Sequence, residues 1–157
     1  MWAALCKRLK RGVLKLINAL SIDYVVPGDD FTRAGEASSD VKRKLKKIGY
    51  NPDAIRRVAI AMYEGEINMV IHAGGGVAHV DIDPECVKMV LSDHGPGIRD
   101  VDMAMREGYS TAPDRVRALG FGAGMGLPNM KKCTDYMKID TEIGRGTTLY
   151  MTVLANK

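Results

Sequence analysis

The chain has 157 residues, 46% of them hydrophobic and 27% charged, proportions of an ordinary globular protein with enough length to bury a core of its own. Its three cysteines, Cys6, Cys86 and Cys133, are scattered without a Cys-x-x-Cys pair, which argues against a disulfide framework or a zinc site and points to a reducing cytoplasm. The net charge of +4 sits at the N-terminus: residues 1–20 carry Lys7, Arg8, Lys10, Arg11 and Lys15 with no acid, leaving the remainder at −1, too nearly neutral for direct nucleic-acid binding.

Residues 2–20 place Trp2, Leu5, Leu9, Val13, Leu16, Ile17 and Leu20 three and four apart with basic residues between them, the pattern of a basic amphipathic helix. It is too short and charged to span a bilayer and lacks the uninterrupted apolar core of a signal peptide. Packing on its own domain, or a partly ordered N-terminal extension, is the preferred reading over a membrane-surface or partner-binding helix. Ile22–Val26 reads as a strand ended by Pro27-Gly28. Asp29, Asp30 or Thr32 is then expected to cap a helix running to about Ile48, before Gly49, with a Lys/Arg-rich last turn.

Pro52-Asp53 opens the longest expected helix, Ala54 to about His72, stopped by Gly74-Gly75-Gly76. Glu64, Asn68 and His72 are spaced by four, so all three are expected on one helical face. Gly65 costs about 1 kcal/mol there relative to Ala, a sign that something bulky approaches closely. Val77–Asp83 and Cys86–Ser92 form an expected hairpin around Pro84-Glu85, with Ala78, Val80 and Ile82 on one face and Val77, His79 and Asp81 on the other. Asp93 ends the second strand, and the turn Asp93-His94-Gly95-Pro96-Gly97-Ile98 has little side-chain bulk. A flat ligand can therefore approach the backbone while the Asp93 carboxylate accepts from an exocyclic amine such as that of adenine.

From Arg99 to Leu119 the pattern is irregular and reads as a lid. The run Gly120-Phe121-Gly122-Ala123-Gly124-Met125-Gly126 precedes an expected helix, with Pro128 in its first turn, reaching about Tyr136. Backbone amides and a helix N-terminus at that point favour an anion such as phosphate. Tyr136–Glu142 and Thr147–Leu154 close the chain as a second hairpin around Gly144-Arg145-Gly146.

Taken in order, Glu64-x-x-x-Asn68-x-x-x-His72, Asp93-x-Gly95-x-Gly97-Ile98, Gly122-Ala123-Gly124-Met125-Gly126-Leu127 and Gly144-x-Gly146-Thr147 resemble the GHKL, or Bergerat-fold, ATPase superfamily. Within it, the likeness is to the small bacterial anti-sigma-factor and stress-switch serine/threonine kinases. The resemblance covers about residues 22–154, leaves the segment before Ser21 outside, and implies a histidine-kinase-like ATP-binding domain over residues 21–157. The fold it implies is α+β: a two-layer α/β sandwich whose mixed, mostly antiparallel sheet carries helices on one face.

By the same resemblance, ATP lies between the long helix and the lid. Asn68 holds Mg²⁺, Asp93 reads the adenine amine with Thr147 helping through a water, and Gly95 and Gly97 admit the base. Gly122, Gly124 and Gly126, with Met125 and Leu127 among them, wrap the phosphates. Glu64 is the general base. Lys131 and Arg115 are further phosphate candidates that the family pattern does not fix. The P-loop signature and the His-Arg-Asp and Asp-Phe-Gly signatures of eukaryotic-type kinases are absent, as is room for a second catalytic or phospho-accepting domain. The expected activity is phosphorylation of a small cytoplasmic anti-sigma-antagonist-like protein. The alternative is a non-catalytic ATP-binding module that sequesters a sigma factor or other partner. Family members often dimerise, although no stretch here declares an interface.

Overall fold

A computed structural model describes residues 19–28 and 30–156. The basic helix expected at residues 2–20 lies outside them apart from its last two positions, and Leu20 already belongs to a strand. In chain order the elements are β1 (Leu20–Pro27), α1 (Glu36–Lys47), α2 (Pro52–Asn68), β2 (Gly75–Ile82), β3 (Cys86–Ser92), α3 (Val101–Ala104), α4 (Asp114–Ala118), α5 (Gly126–Cys133), β4 (Tyr136–Glu142) and β5 (Gly146–Leu154).

The strands form one sheet in the order β1-β2-β3-β5-β4. All four pairings are antiparallel, so the sheet described contains no parallel component, although a mixed one was expected. Period-two alternation sets the register. Ala78 pairs with Leu91 and Leu91 with Leu149; Val80 pairs with Met89 and Met89 with Met151; Ile82 pairs with Val87 and Val87 with Val153. All nine side chains are buried. They form the sheet half of the core, full burial of each of the eight larger side chains being worth about 1.5–3 kcal/mol and that of the Ala78 methyl about 0.8 kcal/mol. The opposite face carries Val25 and Val77, both exposed, together with an Asp23–His79–Asp81 chain of contacts.

The helices lie on the covered face. In α1 the buried residues Ala37, Ser38, Val41 and Leu45 follow helical spacing. In α2, Ala54, Ile55, Val58, Ala61 and Met62 do the same. Asn51 caps α2, its side chain accepting from the amides of Asp53 and Ala54.

The start of α1 differs from expectation. Asp30 Oδ1 accepts from the Thr32 amide and hydroxyl at 2.9 and 2.5 Å, and Asp29 is not among the described residues. The helix begins only after Gly35, whose φ of 95° is left-handed and which offers no side-chain cap. The acceptor comes from elsewhere: Glu66 of α2, 1% exposed, takes the Ser38 amide at 2.7 Å through Oε1. A buried carboxylate at the positive end of α1 thus satisfies its first turn.

Helix α2 is continued by a π turn, Met69–Ala73, closed by Gly74 at φ 69°. Its wider winding takes His72 off the strict four-residue spacing that holds for Glu64 and Asn68. The last helix, α5, ends at Cys133 rather than near Tyr136, because Tyr136 enters β4 opposite Thr152.

Candidate functional site

A pocket of about 670 Å³ opens between the C-terminal half of α2, the turn after β3 and the segment 104–127, a volume suited to a small-molecule ligand. Its lining includes Glu64, Asn68, His72, Asp93, Gly97, Gly122, Gly124, Met125, Gly126, Leu127 and Thr147. Residues from four separated sequence blocks are thereby brought to one cavity. Of the expected site residues, Gly95 is not in the lining. A Cβ there would stand 2.6 Å from the Cβ of Ala73, so this glycine lets the turn pack on the π turn rather than facing the cavity. Lys131 and Arg115 are also outside the lining. The strongly basic side chain among the lining residues is Arg99, which sequence patterning did not single out.

At one end of the pocket, Asp93 is held on both sides. Its amide donates to the Thr147 carbonyl at 2.9 Å, and its Oδ1 accepts from the amides of Gly95 at 2.9 Å and Thr147 at 3.1 Å. Among the described residues nothing bonds Oδ2, which leaves it for a donor in the cavity. Gly146 is required here, since a Cβ at this φ of 120° would lie 2.1 Å from the Asp93 carbonyl oxygen. Gly97, at φ 78°, likewise abuts the Glu142 carbonyl. The Thr141 hydroxyl joins the pieces: it accepts from the Ile98 amide at 2.9 Å and lies 3.0 Å from Thr147 Oγ1 and 3.2 Å from the Gly146 carbonyl.

At the other end, α2 presents Glu64 and Asn68 beneath the start of α5. A Cβ on Gly126 would lie 3.2 Å from Asn68 Oδ1 and 3.5 Å from Glu64 Oε2. The helix N-terminus, the amide oxygen and the carboxylate therefore meet within one small volume. Asn129 of α5 donates from Nδ2 to Glu64 Oε1 at 2.8 Å. His72 also lines the pocket; desolvation holds its pKa below the ordinary value, with the Asp93 charge opposing.

The glycine run packs on the lid itself. Gly108 donates to the Gly124 carbonyl at 2.9 Å. Cβ atoms at Gly122 and Gly124 would lie 2.4 Å from the Ala112 Cβ and 2.5 Å from the Gly108 carbonyl carbon. Phe121 stacks on Phe31, with ring centroids 5.5 Å apart, which ties the lid to the loop before α1. The bulky neighbour of Gly65 is Leu91, whose Cδ2 would stand 2.3 Å from an added Cβ.

An antiparallel sheet with helices on one face, holding a pocket between its longest helix and a glycine-rich lid, defines the class: an ATPase-type α/β sandwich. The chain belongs to the histidine kinase-like ATPase domain family, whose model matches residues 29–153. It is 29% identical over 108 residues to the serine/threonine-protein kinase RsbT of Bacillus subtilis, covering 66% of this chain and 75% of that one. It is 28% identical over 138 residues to the anti-sigma F factor of Clostridium beijerinckii, covering 83% and 90%. Among solved structures, the RsbU and RsbW domains of a Mycobacterium tuberculosis protein align with a TM-score of 0.59 at 16% identity over 88% of this chain. The match spans 33% of that longer chain, and the likeness is one of fold. Among the described residues, no helix is long and apolar enough to cross a membrane.

Proposed function

We propose that the chain is a cytoplasmic ATP- and Mg²⁺-dependent serine/threonine kinase that phosphorylates a small anti-sigma-antagonist-like regulator. The observation that carries this reading is the meeting of Glu64 Oε2, Asn68 Oδ1 and the N-terminus of α5 at one end of the pocket, with Asp93 Oδ2 free at the other. The donor set fits the nucleotide. A carboxylate oxygen can accept the adenine amine, while the α5 amides and dipole favour the anionic tail. Thr147 supplies a hydroxyl beside Asp93 for a bridging water.

Asn68 contributes a neutral oxygen of the kind Mg²⁺ uses alongside phosphate oxygens and water. Bound Mg²⁺ would neutralise phosphate charge during transfer. Glu64 takes the proton of the acceptor hydroxyl as that oxygen bonds to the γ-phosphorus. The bond from the γ-phosphorus to the β–γ bridging oxygen breaks, and ADP leaves.

Relatives named as a kinase and as anti-sigma factors occur at nearly the same identity. Their names support a second reading, a nucleotide-gated module that holds a sigma factor. Calorimetric titration with ATP in the presence and absence of Mg²⁺, followed by γ-phosphate transfer to candidate partners, separates the two. The kinase reading expects Mg²⁺-dependent binding, and transfer that Glu64→Gln slows by roughly 10²- to 10⁴-fold, to a residual rate that can still be measured, while ATP binding persists. Transfer left intact by Glu64→Gln, or wild type that does not bind ATP, would overturn it. Tight ATP binding without transfer, with partner affinity altered by Asn68→Ala, would select the binding module.

A further inference from the structure

We infer that Asn129 is a positioning residue for Glu64, selecting which carboxylate oxygen acts as the base; this rests on the reading of Glu64 as the proton acceptor. The two residues are 65 positions apart, and the Asn129 Nδ2–Glu64 Oε1 bond of 2.8 Å is partly buried. Only the amide nitrogen can donate to a carboxylate, so the orientation of Asn129 follows from the contact. With Oε1 occupied from α5, Oε2 is the oxygen turned toward the Gly126–Asn68 end of the site.

The terminal torsion of a glutamate is broad and nearly two-fold, so a Glu64 side chain without this contact would exchange its oxygens and sample misaligned positions. Among the ion pairs of the described residues, none involves Glu64. Its orienting partner is therefore neutral. A lysine at this place would also align the carboxylate but would hold it as an ion pair. The neighbouring Lys132 instead bonds Glu107 at 2.6 Å. An amide orients the base and leaves its negative charge for the incoming proton.

The bond also joins Glu64 to the helix that follows the glycine run. The Asn129 backbone amide donates to the Met125 carbonyl at 2.8 Å, so Asn129 lies in the first closed turn of α5. The glycine run thus leads directly into the turn that carries the Asn129 amide. The base is thereby aligned when α5 is seated over Asn68 and Glu64.

The test is steady-state and single-turnover phosphotransfer by full-length wild type, Asn129→Ala, Asn129→Asp, Asn129→His, Glu64→Gln and the double variant Glu64→Gln/Asn129→Ala. ATP affinity and far-ultraviolet circular dichroism are measured on each. Asn129→Ala should lower kcat by roughly 10- to 100-fold, the scale on which small misplacements act, with KM for ATP changed about twofold or less. Asn129→His, which keeps an N–H donor, should recover part of the loss. Asn129→Asp, which sets an acceptor against Glu64 at unchanged size, should be the slowest. In the Glu64→Gln background Asn129→Ala should have little further effect, because both act through one group.

Full kcat in Asn129→Ala and Asn129→Asp, or equal losses in the two backgrounds, would overturn the inference while leaving the kinase reading intact. If Asn129→Ala loses its fold, the nearly isosteric Asn129→Asp decides alone. Wild type that binds ATP without transfer, or transfer insensitive to Glu64→Gln, removes the base and the positioning role together.

Discussion

Asp93→Asn changes one atom of the proposed adenine-reading group and leaves the turn that holds it in place. Oδ1 already accepts from the Gly95 and Thr147 amides, and an asparagine oxygen can keep both bonds. The new amide nitrogen must then take the Oδ2 position. The reverse orientation would set its N–H groups against two backbone donors and leave those donors without an acceptor. The cavity therefore exchanges an ionised acceptor for a donor where the adenine amine would sit. Losing one hydrogen bond to a charged group costs about 1.5–3 kcal/mol, so ATP affinity should fall roughly 10- to 150-fold. Resistance to urea should stay within about 1 kcal/mol of wild type. Guanine presents an oxygen acceptor in place of the adenine amine, so the ratio of GTP to ATP affinity should rise in the variant. Calorimetry of both nucleotides, with urea titrations on the same preparations, is the assay. A variant of unchanged stability that binds ATP within about threefold of wild type would refute the assignment of Asp93 as base reader.

Three further outcomes follow from packing and charge. Gly65→Ala gains about 1 kcal/mol of helix propensity but drives a Cβ into buried Leu91, at a cost of about 1–3 kcal/mol; thermal unfolding should show net loss, and a more stable variant would contradict the packing described. Arg57, whose side chain bonds Asp53 at 2.9 Å, Asp135 at 2.8 Å and the Leu154 carbonyl at 3.0 Å, fastens α2 to the ends of β4 and β5. Arg57→Met should cost about 3–5 kcal/mol by leaving Asp135 charged and enclosed, and a loss under about 1 kcal/mol in urea titration would reject that account. Burial raises the Glu66 carboxyl above its ordinary 4.5, against the lowering effect of the Ser38, Gly35 and Ala37 amides. The folded state then holds this proton more tightly than the unfolded one, so the stabilising contribution is present at low pH and is lost as pH rises from about 4.5 through the folded value. The stability of wild type minus that of Glu66→Gln should accordingly decrease over that window, and a flat or rising difference would count against it.

Much of this architecture is legible from local periodicity. The β2–β3 hairpin follows from alternation around Pro84-Glu85, and α2 from Pro52-Asp53 and the apolar spacing that follows. The convergence of Glu64, Asn68, Asp93 and Gly126 on one cavity is what the family resemblance carried by the ordered motifs implied. What local sequence does not contain is contact between distant segments. The start of α1 could not be placed from Asp29, Asp30 and Thr32 because its acceptor, Glu66, lies 28 residues beyond Ser38. The π turn that shifts His72 has no compositional mark. Gly95 resembles a ligand-facing glycine, yet its neighbour is Ala73. Asn129 passes for a helix-surface residue until α2 and α5 are packed together.

The order β1-β2-β3-β5-β4 places everything from Asp93 to Asp135 in a single excursion between strands that flank β5. Asp93, Thr141 and Thr147 sit at the root of this excursion, fixed by sheet register, whereas Gly108 and Gly124 lie out along it and hold one another, and Phe121 stacks on Phe31. On this layout the two ends of the pocket can evolve separately. On the nucleotide reading proposed above, changes along the excursion would retune discrimination between nucleoside di- and triphosphates, which differ only at the tail, without touching the choice of base. Changes at the root would do the opposite.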